Sequence, residues 1–481
     1  MELVLAGVGP LARQVFVALK RRIASGELPA GTRLPGSREL ARKLQVARGT
    51  VVSAYRQLEA EGYCETRPRS GTRVSQLPVL TAASAAAGAP QTQRQPLRWR
   101  LDSARPELDL RPGLPSAADF PHTAWARLAR RELARGAQER FSYPDPEGLP
   151  RLRVAVAEHL RQRRGLACSA SQVLITQGAQ QAFSLIARTL LPVGVPVAVE
   201  DPGYPGFSQA AQAAGVDVAP VAVDRYGLVV ERLRGMTVSG VCVTPAHQFP
   251  TGAILSASRR RELLGWARAR DAWIIEDDYD SEYRFDAAPV EPLKQLDGHG
   301  RVLLVGSFSK TMFPDLRLGY VVAEAEQLQL LALMKNLDDA GSSTLNQAML
   351  AAFMEDGHYA RHLRRSVRAV AQRRRALMAA LTHHFGGAVT FQGAAAGLHL
   401  VADLGLSTDQ ERAVVHLAGH RGLGLYAQQS FAREGGREND AGAGLVLGFA
   451  RLEAQQFDEA IARLARLVAG LRQRRPGLRR R

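Results

Sequence analysis

From residue 171 onward, short apolar runs alternate with helical patterns, and that alternation limits the chain to very few architectures. "SQVLIT" (171–176) is followed by "QGAQQAFSLIARTLL", and "VPVAVE" (195–200) by "DPGYPGFSQAAQAAG". "GVCVTP" (240–245) leads to "SASRRRELLGWARAR", and "AWIIEDDYD" (272–280) and "RVLLVGSFSK" (301–310) follow. Fully apolar strands separated by helices predict an α/β unit with a mainly parallel sheet covered by helices on both faces. In such sheets ligands sit at the carboxyl ends of the strands. The polar motifs "QGAQ", "DPGY", "TPAHQFPTG", "EDDYD" and "SFSK" all fall there.

One chemistry needs these groups together. An aldehyde cofactor that stores carbanion charge requires an amine for a Schiff base, and Lys310 supplies one. Burial and neighbouring cations lower a lysine pKa, so that the amine can lose its proton. A pyridine nitrogen needs a carboxylate to keep it protonated, and Asp277 is placed for that. A phosphate needs an anion site: Gly178, Ala179 and Gln180 stand at a helix N-terminus, where free N–H groups favour negative charge. Ser307, Ser309 and Arg317 can complete the cup. Singly, each motif has a plainer reading: "EDDYD" as a solvated loop or Mg²⁺ site, "QGAQ" as an ordinary turn, Tyr204 as a core aromatic. His358 and His362, at helical spacing without an intervening Glu, read as an exposed helix face rather than a metal site. No metal site is expected.

A smaller block precedes this unit. "LARQVFVALKRRIASGEL" places Val15, Leu19 and Ile23 on one helical stripe that Gly26 ends. "LPGSRELARKL" predicts a second helix with Ser37 as N-cap, and "ARGTVVSAYRQLEAEG" a third carrying Val51, Tyr55 and Leu58. With the tight turn "QVA" between them, the last two form a helix-turn-helix pattern; "YCETRPRSGTRVS" then reads as a hairpin wing. Residues 1–74 hold thirteen basic against six acidic side chains, which suits a polyanion. Arg38, Arg48 and Thr50 fall in the first turns of their helices, where phosphate and base-edge contacts are made. A small helical protein-binding domain is the plainer alternative.

Residues 75–98, rich in Ala, Ser, Gln and Pro without period, read as a flexible linker, which leaves 99–481 as the large unit. The net charge of +17 again favours an anionic partner, although the tail "LRQRRPGLRRR" reads as a solvated end. Three dispersed cysteines, Cys64, Cys168 and Cys242, argue against a zinc site or a disulfide framework and fit a reducing cytoplasm. Neither a membrane span nor a secretory signal is expected.

The stretches "SGELPAGTRLPGSRELARKL", "RGTVVSAYRQLEAEGY" and "RSGTRV" resemble the winged helix of GntR-type regulators. The resemblance implies DNA contacts by Ser37, Arg38, Arg48, Thr50, Arg67, Arg69 and Gly71, with Ala47 lacking the hydroxyl usual in that family. About residues 143–452 resemble a fold-type I pyridoxal-phosphate aminotransferase. "TPAHQFPTG", "EDDYDSEYRF" and "GSFSKTMFPDLRLGY" are similar to the MocR branch, which fuses both modules. The resemblance implies Lys310 as the Schiff-base lysine, Asp277 on the pyridine nitrogen, Tyr279 near the ring hydroxyl, Tyr204 stacked on the ring and His247 nearby. It places the phosphate on Arg317, Ser307 and the Gly178–Gln180 turn, with Tyr143 reaching it from the partner of a head-to-tail homodimer. Where aminotransferases carry a carboxylate-binding arginine, this chain has Val446. Ser208 and Gln209 stand where some relatives have basic residues, and Arg451 lies nearby. The implied protein is a cytoplasmic regulator of double-stranded operator DNA that responds to an amine, an amino acid or pyridoxal 5'-phosphate itself. An active aminotransferase with an attached DNA-binding head is the alternative.

Overall fold

The computed structural model describes residues 3, 5, 9–67, 71–76, 106–135, 141–286, 290–433 and 444–473. Most of the expected linker, the expected Arg69 contact and the tail beyond residue 473 lie outside the described residues. The chain divides into two compact units, Met1–Pro96 and Leu97–Arg481.

The first unit holds helices α1 (Leu11–Ala24), α2 (Ser37–Leu44) and α3 (Arg48–Ala60) and an antiparallel hairpin of β1 (Cys64–Arg67) and β2 (Gly71–Val74). Its core packs the predicted stripe, Val15, Leu19 and Ile23, together with Phe16, against Leu40, Val51, Tyr55 and Leu58. One expectation is corrected. Gly36, in extended conformation, is the N-cap of α2, and Ser37 is already its first helical residue. The Ser37 hydroxyl instead lies 3.5 Å from Arg48 Nε across the turn. The sequence pattern also hid a third strand-like segment. Residues 31–34 pair with β2 through Gly31 N–H to Val74 O and Leu34 N–H to Thr72 O, both 2.9 Å.

The second unit is built on an eight-stranded sheet. Its order is Val173–Thr176, Gly319–Val322, Val302–Ser307, Trp273–Asp278, Gly240–Val243, Val197–Asp201, Val218–Asp224 and Gly227–Leu228. The five strands from Val302–Ser307 to Val218–Asp224 run parallel, and Gly319–Val322 is antiparallel to both neighbours. The central strands are buried along their length, which is why they read as unbroken aliphatic runs. A second, antiparallel sheet of Thr390–Gln392, His399–Asp403, Leu445–Gly448 and Tyr426–Ala427 packs with the C-terminal helices around a core of its own.

The helix face assigned to His358 and His362 is also corrected. His362 is buried, its Nε2 2.7 Å from the Thr311 carbonyl, and His358 stacks on Phe353. The long helix His358–Phe385 turns that face onto the core rather than to solvent.

Candidate cofactor site

A cavity of about 290 Å³ opens at the carboxyl ends of the central strands. It is lined by Lys310, Asp277, Tyr279, Tyr204, Ser307, Ser309, Arg317, Ala179 and Gln180, so strands far apart in sequence deliver their predicted groups to one place.

Asp277 and Tyr279 leave the end of Trp273–Asp278, and Lys310 the turn after the neighbouring strand Val302–Ser307. Burial pushes the Asp277 carboxyl up to about 8, and Asp278 adds to the rise while Lys310 opposes it. Burial lowers the Lys310 amine, with Asp280 and Asp277 pulling the other way. The floor thus couples an acid that resists ionising to a base that sheds its proton easily. Room for the amine depends on Gly113, at φ +74°, where a Cβ would stand 3.0 Å from Lys310 Nζ.

The anion end is equally specific. Gly178, at φ +78°, caps the helix Ala179–Leu190, and a Cβ there would fall 3.0 Å from the Arg317 guanidinium. Arg317 itself has φ 52° and donates to the Gln177 carbonyl at 2.9 Å, which fixes it under the helix N-terminus. Ser307 Oγ accepts from Ser309 N–H at 3.1 Å and keeps its own hydrogen to donate. Gln180 spends its side-chain amide on the Gly206 carbonyl, so only its backbone N–H is directed by the helix. His247 stands one layer back, 3.1 Å from the Tyr279 hydroxyl and outside the cavity lining. Tyr143 is 88% exposed.

The small sheet and a remote N-terminal segment close the cavity with Arg111, His399 and Phe431, which no sequence pattern singled out, and Phe249 joins them from the "TPAHQFPTG" motif. Arg111 donates to the Tyr426 hydroxyl at 2.8 Å and lies 3.5 Å from Asp109. Asp109 also takes Arg451, at 2.8 Å. Val446, wholly buried, pairs with Tyr426 and Val401 in the small sheet and offers no charge. Arg451 is therefore anchored on a buried carboxylate rather than standing in for a residue at 446.

In the head, Arg38, Arg48 and Arg67 are exposed, Thr50 and Ser37 partly so. Gly71 has φ +83°, and its missing Cβ leaves space for Arg33, a basic group at the wing base that the helix pattern does not single out.

The cavity's donor set fits pyridoxal 5'-phosphate. A buried carboxylate, an amine with a depressed pKa and a glycine-capped helix with serine and arginine match its nitrogen, aldehyde and phosphate in turn.

Comparisons with known proteins agree in both units. Residues 112–440 match the family of aminotransferase class I and II, and residues 11–74 the bacterial regulatory proteins of the gntR family. The probable rhizopine catabolism regulatory protein MocR of Rhizobium meliloti is 37% identical over 82% of this chain and 81% of its own length. The HTH-type pyridoxine biosynthesis transcriptional regulator PdxR of Corynebacterium glutamicum is 33% identical over 95% of each. Among solved structures, LysN, the alpha-aminoadipate aminotransferase of Thermus thermophilus complexed with N-(5'-phosphopyridoxyl)-L-leucine, superposes with a TM-score of 0.68. It is 29% identical and covers 76% of this chain and 93% of that chain. With a gntR-type head and an aminotransferase class I and II domain in one polypeptide, the chain belongs to the MocR-type branch of the GntR regulators.

Proposed function

We propose that this protein is a cytoplasmic, homodimeric transcription regulator that holds pyridoxal 5'-phosphate covalently on Lys310 and changes its grip on operator DNA when an amine, an amino acid or the cofactor itself arrives. The carrying observation is the convergence of Lys310, Asp277 and Tyr279 with the Ala179 helix N-terminus, Ser307, Ser309 and Arg317 on one cavity. When bound, the cofactor supplies an aldehyde carbon that captures primary amines and a ring that delocalises charge.

The protein's own groups do the rest. Asp277 offers a carboxylate to the ring nitrogen, and a cationic partner there would bring its raised pKa back down. Lys310 presents an amine that gives up its proton more readily than a free lysine, because burial disfavours its ammonium form. Arg317, the helix N-terminus and the two serines hold the phosphate; Tyr204 covers the ring. In the head, Arg38, Arg48 and Thr50 with Arg67, Arg69 and Gly71 of the wing meet the duplex, Ser37 lying beside Arg48.

Dimerisation finds support in an exposed apolar stripe, Leu330, Leu333 and Leu337 on the helix Ala325–Asp339, and in the exposed rings of Phe141 and Tyr143. A sensor rather than an efficient transaminase is favoured by the apolar Val446 and by the commitment of Arg451 to Asp109. A relative named for pyridoxine biosynthesis supports the cofactor itself as the signal, and one named for rhizopine catabolism supports a small amine.

The test is a visible-absorbance screen of the purified protein against amines, amino acids and free cofactor, repeated with its promoter DNA. Spectral change without turnover, and a borohydride-fixed mass at Lys310, are expected. Steady keto-acid production would establish the enzyme instead.

A further inference from the structure

Behind Tyr279, His247 and Asp280 form a buried pair, Nδ1 to Oδ2 3.1 Å, each about 1% exposed. The other ring nitrogen, Nε2, lies 3.1 Å from the Gly393 carbonyl. A carbonyl only accepts, so Nε2 carries a hydrogen; an ionised carboxylate only accepts, so its contact with Nδ1 asks for a second. The geometry fits a ring that donates from Nε2 to the Gly393 carbonyl and shares a proton with Asp280 at Nδ1. The Tyr279 hydroxyl has two acceptors within reach, the His247 carbonyl at 3.0 Å and Nδ1 at 3.1 Å. With Nδ1 protonated the hydroxyl donates to the carbonyl. With the proton passed to Asp280 it can donate to Nδ1.

The same pair joins the two sheets. Asp280 Oδ2 accepts from Leu398 N–H at 3.1 Å, and Gly397 N–H donates to the Tyr283 carbonyl at 2.7 Å. A Cβ on Gly397 would lie 2.1 Å from the His247 ring and 2.5 Å from Asp280, and one on Gly252 would lie 2.3 Å from Gly393 Cα. Residues 393–398, which lead into the strand His399–Asp403, are thus seated on the strand-end groups of the large sheet with no slack. His399 is the other ring here, 4.7 Å from His247 between centroids. Burial and His247 hold it neutral, down to about 3, with Nε2 3.0 Å from the Pro250 carbonyl. Lys310, Asp277, Glu200 and Arg284 are further charged groups that act on the cluster.

We propose that the Asp280–His247 pair is a positioning joint: it selects which acceptor the Tyr279 hydroxyl uses and passes a change at that hydroxyl to residues 393–398 and the small sheet. This rests on the reading of Tyr279 as the neighbour of the cofactor's ring hydroxyl. In a regulator whose output lies outside the cavity, such a joint converts ring chemistry into backbone constraint.

The test uses the full-length protein with and without pyridoxal 5'-phosphate, as wild type and as Asp280→Asn, His247→Gln and Tyr279→Phe. In wild type, adding the cofactor slows amide hydrogen exchange in peptides covering 390–398 severalfold. In Asp280→Asn and His247→Gln the borohydride-fixed mass at Lys310 persists, that protection is lost, and the absorbance-detected acid–base midpoint of the bound cofactor moves by about one unit. Tyr279→Phe loses the protection too, although its Asp280–His247 pair is untouched. Retention of wild-type protection and midpoint in Asp280→Asn or His247→Gln overturns the joint alone. Absence of any cofactor adduct on Lys310 in wild type overturns the joint together with the proposed function.

Discussion

The head and the cofactor cavity solve opposite electrostatic problems. In the head the working groups, Arg38, Arg48 and Arg67, stand exposed to water on a small apolar core. In the cavity Asp277 is buried and Tyr279 and Lys310 are half-buried, and burial dominates the acid–base behaviour of all three. Exposed charges act at a distance, share the load and fade with salt. Buried ones act through fixed geometry and shifted protonation, and no neighbour substitutes for them. Substitutions should therefore produce graded losses in the head and all-or-none losses in the cavity.

The largest expected effect is at Lys310. Lys310→Ala removes the only amine lining the cavity among the described residues, so the borohydride-fixed cofactor mass should vanish rather than weaken. A surviving adduct at another lysine would break the contrast at its strongest point.

That contrast also governs what the sequence could disclose. Lys310, Asp277 and the Gly178 turn were legible because each directly follows an apolar strand, and strand order converts such ends into one site. The helical stripe of the head was legible because Val15, Leu19 and Ile23 fall on one helix face. Arg111, His399 and Phe431 were not, because they enter from a short N-terminal segment and the small sheet, and no local pattern encodes that approach. His362 misled for a related reason: helical spacing names a face but not whether it turns inward. The strand-like residues 31–34 pair with a hairpin some forty positions away, a contact with no period to betray it.

A buried carboxylate outside the cavity tests whether burial alone produces the behaviour seen at Asp277. Glu411 is 2% exposed, its Oε2 has no hydrogen-bond partner among the described residues, and burial, with Asp403 adding to it, raises its carboxyl to about 7. A folded-state pKa above the unfolded value of about 4.3 means stability present below that value and lost as pH rises through 7. Glu411→Gln should raise stability by about 2 kcal/mol at pH 8, with the gain shrinking towards pH 5, in denaturant melts at the two pH values. An equal gain at both would detach the effect from ionisation.

In the head, Arg48→Ala should weaken operator binding about tenfold. If the lost contact is to a phosphate, the slope of log K against log salt should fall by about 0.9. Fluorescence anisotropy across a salt series measures both. Complete loss of binding at low salt would place Arg48 with the irreplaceable buried groups instead.

The smallest effect crosses the divide, because it concerns a buried group in the head. Tyr55 is 7% exposed and donates its hydroxyl to the Pro35 carbonyl at 2.7 Å, tying α3 to the turn before α2. Tyr283 holds a matching bond in the large unit, donating to the Lys310 carbonyl at 3.1 Å. The two phenols differ in what hangs on the acceptor: a turn in one case, the cofactor lysine in the other. Tyr55→Phe should cost about 1 kcal/mol, seen as roughly fivefold faster amide exchange in residues 31–44. The Lys310 adduct should be unaffected. Tyr283→Phe should cost about as much and also slow cofactor capture, because Lys310 loses a backbone anchor. If both variants changed stability alone, geometry at Lys310 would be set by the strand end, and the anchoring phenol would be ordinary core.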